Sequence, residues 1–112
     1  MLRYGEGDGA IDSERAATDL IGDAWGEGVT VVAVPVDRLS PEFFQLRSGL
    51  AGSIAQKLVN YRITLAIIGD IAAYLDASNA LRDWVRESNR GDELWFVPDD
   101  GALAARLAAR PR

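Results

Sequence analysis

Residues 29–36, VTVVAVPV, and residues 63–68, ITLAII, are almost unbroken apolar runs rich in β-branched side chains. A strand with one wet face alternates polar and apolar residues, so runs without alternation read as strands covered on both faces, the condition of a parallel sheet. Parallel neighbours cannot be joined by a tight hairpin and need a long crossover, usually helical. These two runs therefore commit the chain to a central parallel pair with helices packed over it. Residues 93–97, ELWFV, supply a third strand, and residues 2–4 a fourth that begins too abruptly to be complete.

The segments between the strands carry helical periodicity. Asp12 or Ser13 caps a helix to residue 25, with Ala17, Leu20, Ile21 and Ala24 on one side and Gly26 or Gly28 ending it. Leu81, Trp84, Val85 and Ser88 follow i, i+3, i+4 spacing in a helix over residues 78–89, stopped by Gly91. A short helix over residues 100–109 follows the last strand. The order β-α-β-α-β-α-β-α predicts one small α/β domain over residues 1–112, a mostly parallel four-stranded sheet with right-handed crossovers and flanking helices. A chain of 112 residues, 48% of them hydrophobic, suits one core that buries roughly 65% of its unfolded surface.

Charge and residue usage narrow the function. Seventeen acidic against twelve basic residues give a net charge of −5, which repels nucleic-acid phosphates and anionic lipid, so neither is expected as a partner. With no cysteine and no histidine, the chain lacks a thiolate nucleophile and the commonest general base and transition-metal ligand. A serine triad is impossible without histidine, and no G-x-S-x-G turn is present. The expectation is a non-enzymatic protein without cofactor or metal. The absence of a leader-like or membrane-spanning stretch points to the cytoplasm, and the Arg and Ala bias, with Lys57 the single lysine, to a bacterial source.

The middle helix, RSGLAGSIAQKLVNYR at residues 47–62, has an unusual outer face. On a helical wheel running back to Phe43, the side chains of Phe43, Leu50, Ala51, Ile54, Leu58 and Tyr61 fill the sector that faces the sheet. Opposite them Gln45, Gly49, Gly52, Gln56 and Asn60, with Ser53 beside them, form a polar strip without charge. Glycine inside a helix costs about 1 kcal/mol relative to alanine, so the strip asks for a compensating contact. Close approach of another chain is one reading, with amides that can hydrogen-bond it without burying charge. The partner is then a second copy in a homodimer or a regulatory protein. The plainer reading is that Gly49 and Gly52 fit a tight helix–sheet contact inside the monomer and that the amides are solvated.

The carboxyl ends of parallel strands are where such sheets place ligands, and Asp37, Asp70 and Asp99 fall there. They suggest an alternative function, a small-ligand or nucleotide site assisted by Mg²⁺. As turn formers and helix caps the same residues need no ligand. Arg47, Lys57 and Arg62 offer cations near the middle helix, with solvated or carboxylate-paired side chains as the simpler expectation. GEGDG at residues 5–9 lacks phosphate-loop spacing and reads as a flexible turn, and RGD at residues 90–92 as a helix end.

The blocks LSPEFFQLRSGLAGSIAQKLVNYR, LAIIGDIAAYL, LRDWVRESNRG and LWFVPD resemble a bacterial family described as domain of unknown function 4180, over nearly the whole chain. More distantly, an apolar strand, a loop, SGLAG opening a helix and a second strand ending in GD is similar to STAS domains, which include anti-sigma-factor antagonists. That resemblance implies a small sheet flanked by helices and action through a protein partner. It also makes Ser48 a phosphoacceptor by position, although Leu46 and Arg47 precede it here in place of the Asp and small hydroxyl residue of the STAS pattern. A phosphate at Ser48 would meet free helix N–H groups and Arg47, and as an N-cap Ser48 needs no phosphate. Ser40, before Pro41, reads as another helix cap.

Overall fold

In the computed structural model, which describes residues 2–3 and 10–109, the two apolar runs lie side by side in one four-stranded parallel sheet. Strand β2 (Val31–Pro35) pairs along its length with β3 (Thr64–Ile68), from Val31 opposite Thr64 to Pro35 opposite Ile68. Strand β1 (Leu2–Arg3) lies on the outer side of β2, and β4 (Leu94–Val97) on the outer side of β3. This is the α/β architecture that the periodicity predicts. The GEGDG turn lies outside the described residues.

Strand order follows chain order, β1-β2-β3-β4. When each crossover steps the same way with the same hand, every connecting helix lands on the same face of the sheet. Helices α1 (Glu14–Gly26), α2 (Leu50–Tyr61) and α4 (Asn79–Arg90) do so. Their Ala17, Leu20, Ile21, Ala51, Ile54, Leu58, Leu81 and Val85 share one core with Val32, Val34, Leu65, Ile67, Leu94 and Phe96. A six-residue helix that the periodicity does not announce, α3 (Ala72–Ala77), precedes α4. Ser13, Ser78 and Asp99 cap α1, α4 and the last helix α5 (Asp100–Ala108), each side chain accepting a first-turn N–H at 2.8–3.1 Å.

The opposite face is built differently. Helix α5 follows the last strand, has no further strand to reach, and folds back onto that face, where Leu103 packs with Ala33, Ala66, Trp95 and Val97. Ala33, Ala66 and Trp95 form one row across three strands, and the two small residues leave room for the indole. The Arg106 guanidinium lies 4.4 Å from the Trp95 ring centre and donates to the carbonyls of Asn89 and Gly91 at the end of α4. Trp95 Nε1 donates to Gly91 O at 2.7 Å, and Asn89 Oδ1 accepts the Phe96 N–H at 2.7 Å, closing an outward backbone group of edge strand β4. Both faces are thus covered, but the second, among the described elements, by one short helix only.

Gly69 ends β3 with φ 141°, and a Cβ there would lie 2.5 Å from Val36 Cγ1. Gly69→Ala is expected to lower stability by roughly 1–3 kcal/mol, read as a fall in urea midpoint at unchanged slope.

Candidate functional site

The segment before α2 departs from the single helix that its wheel suggested. Pro41–Phe44 and Leu46–Ser48 are short 3₁₀ turns, and Gly49 stands between the second turn and α2 with φ 78°. A left-handed residue cannot sit inside a right-handed helix, so the helix begins at Leu50. The glycine at position 49 is accounted for by that φ. Gln45 joins the two turns and Gly49 caps the helix, so neither belongs to a strip on α2. The buried Phe43 and Phe44 decide this arrangement. Phe43 packs edge-on against Trp84 and near Phe96, and Phe44 stacks on Tyr74 at 4.0 Å, which fixes the chain in 3₁₀ turns ahead of the helix.

Ser48 caps from one residue further out than expected. Its Oγ accepts the Leu50 N–H at 3.2 Å and donates to Glu42 O at 2.8 Å, tying the turn to the helix start. Ser40 precedes Pro41 as predicted but makes no side-chain cap bond, and among the described residues its Oγ is buried without a partner.

Four residues of the expected strip remain on α2: Gly52, Ser53, Gln56 and Asn60. Gly52, Gln56 and Asn60 are exposed and Ser53 is half-buried. A Cβ built at Gly52 meets nothing within 4 Å, so this glycine fits no tight contact within the monomer, and the plainer reading is excluded at that position. Gln56 Nε2 donates to Asn60 Oδ1 at 3.1 Å, which links the two amides along one helix face. Beside the strip, Gly52, Gln56 and Val59 form one wall of a groove of about 290 Å³ whose far wall carries Trp84 and Ser88 of α4.

The wheel missed the apolar part of this surface. Tyr61, expected to face the sheet, is 45% exposed, and Val59 and Trp25 are 47% and 61% exposed. The Tyr61 ring turns onto α1 instead: it meets Trp25 edge-on at 5.8 Å, and Trp25 Nε1 donates to Tyr61 O at 3.3 Å. The α2 helix stops at this residue, with Arg62 at φ 55° and its N–H bonded to the carbonyls of Leu58 and Val59. A wheel has no term for where the covered part of the helix ends. Ile21 and Trp25, four apart on α1, were the available signal that its apolar sector runs past the sheet-facing residues.

The three aspartates act locally. Asp99 caps α5, Asp70 Oδ1 accepts the Ala72 N–H at 2.9 Å, and Asp37 is an exposed side chain 4.0 Å from Arg38. Among the described residues no three acidic, histidine or cysteine side chains gather closely enough to hold a metal ion. The cations near α2 are dispersed too. Arg47 precedes the helix and Arg62 follows it, separated by its twelve residues, about 18 Å of rise.

Residues 1–107 match the family model described as Domain of unknown function (DUF4180). No curated protein and no solved structure matches the chain. Among the described residues no helix is long and apolar enough to cross a membrane.

Since the Gly52 Cβ position is open, Gly52→Ala is expected to raise the stability of the isolated monomer by about 0.5–1 kcal/mol through helix propensity alone. Thermal unfolding at a concentration low enough to exclude association checks this, and an unchanged or lower midpoint would mean the site is less open than it looks.

Proposed function

The chain belongs to the DUF4180 family, and from that premise we propose that this protein is a non-enzymatic interaction module that binds a second copy of itself through the outer face of α2. The observation that carries the reading is Gly52, a helix-interior glycine whose open Cβ position leaves its cost without any compensation inside the monomer. A backbone approaching from outside supplies that compensation. Val59, beside Gly52 and Gln56 in the groove, adds exposed apolar area to the strip, and Trp25 and Tyr61 add more on the α1 flank of the helix.

The lack of charge on the strip allows a second copy to bind there. Two molecules of net charge −5 repel, and an uncharged strip is where they can approach at least electrostatic cost. A carboxamide is both donor and acceptor, so Gln56 and Asn60 can pair with their own twofold-related images, the self-complementarity that an isologous interface needs. This keeps the mode of action implied by the resemblance to STAS domains, binding in place of catalysis, and suits a cytoplasmic protein of bacterial origin. Ser48 lies at the start of the same helix, where an added phosphate would alter the charge next to the contact face.

Sedimentation equilibrium of the wild type and of Gly52→Arg tests the proposal. The expected result is a wild-type dimer and a variant monomer whose circular dichroism spectrum is unchanged and whose monomer stability is no lower, because the substituted position is exposed and arginine is a better helix former than glycine. A monomeric wild type, or a dimer indifferent to Gly52→Arg, refutes it.

A further inference from the structure

A separate cleft of about 780 Å³ opens between the two 3₁₀ turns before α2 and the junction of α3 with α4. Its size lies within the range of small-ligand pockets, roughly 300–1,000 Å³. One wall is aromatic: Tyr74, 37% exposed, lies flat on the buried Phe44 with ring planes 11° apart. Leu46 and Ala77 extend the apolar lining, and Gln45 and Arg47 supply polar side chains. Among the described residues the Arg47 guanidinium has neither an ion pair nor a hydrogen bond. In a chain with seventeen acidic residues, the lining of this cleft contains no carboxylate.

We propose that this cleft binds a small aromatic carboxylate, its ring against Tyr74 and Phe44 and its carboxylate on Arg47. The lining fixes each half of that ligand. A flat apolar group extends the Phe44–Tyr74 stack and removes exposed ring surface from water. The planar guanidinium matches a carboxylate through two parallel N–H donors, and an acid-free lining leaves those donors uncontested. A neutral ligand would leave Arg47 unused, and an aliphatic acid would leave the aromatic wall wet. The site is independent of the α2 contact face, so either can fail without the other.

The experiment is a titration followed by backbone amide NMR with two probes of the same shape, 1-naphthoate and neutral 1-naphthamide. The expected outcome is that 1-naphthoate shifts the signals of Gln45, Leu46, Arg47 and Ala77 and binds more tightly than 1-naphthamide. Arg47→Gln, at an exposed position that folding does not depend on, should weaken 1-naphthoate roughly tenfold and leave 1-naphthamide unchanged. Ala77→Phe, which fills the cleft from an exposed helix position, should abolish both. Equal affinity for the two probes, no effect of Arg47→Gln, shifts centred on Gly52 to Asn60 or elsewhere, or no shifts at all would each overturn the proposal.

Discussion

Parallel pairing of β2 with β3 is the constraint from which the rest of this molecule follows. A parallel neighbour is reached only by crossing the sheet, and here each crossing moves one strand further in the same direction. Helices α1, α2 and α4 therefore crowd one face, while the other is left to α5. The side chains agree with that asymmetry. Val34, Ile67 and Phe96 form a bulky row under the three helices, and Ala33, Ala66 and Trp95 a row in which two small residues make space for one large one.

Crowding on one face also determines what α2 can present to solvent. Ala51, Ile54 and Leu58 bury its inner side against the sheet, and α1 lies along its flank, where Trp25 meets Tyr61. The remaining sector is the one that carries Gly52, Gln56 and Asn60, and it has no neighbour within the monomer close enough to explain a glycine. Elsewhere the chain uses polar residues to close backbone groups. Asn89 covers an outward N–H of β4, and Arg106 gathers two carbonyls at the end of α4 while lying over Trp95. The Gln56–Asn60 pair closes no backbone group; its two amides are held by each other at the surface.

The turns ahead of α2 bring together residues that the periodicity treats as unrelated. Phe43 and Phe44 are neighbours in sequence, yet both are buried, one toward Trp84 and Phe96 and the other under Tyr74. Adjacent residues of a 3₁₀ turn point about 120° apart, which sends the two rings to different neighbours. The same turns place Gln45 and Arg47 beside the α3–α4 junction and form one side of the 780 Å³ cleft there.

The sequence by itself determined the class of fold, because unbroken β-branched runs leave a strand no wet face and force crossovers between parallel neighbours. It determined most helix ends as well, since Ser13, Ser78 and Asp99 carry cap chemistry in their own side chains. It placed Gly52, Gln56 and Asn60 correctly on one outer face, because those positions are fixed by spacing within one uninterrupted helix. Only the tertiary structure decided that Gly49 breaks the segment with a left-handed φ and removes Gln45 from the strip, after turns in which Phe43 and Phe44 are buried against distant elements. It alone turned Tyr61 toward Trp25 and set Phe44 against Tyr74. Contacts between residues thirty or more positions apart depend on where helices stop and which face of the sheet they reach, and a local pattern contains neither.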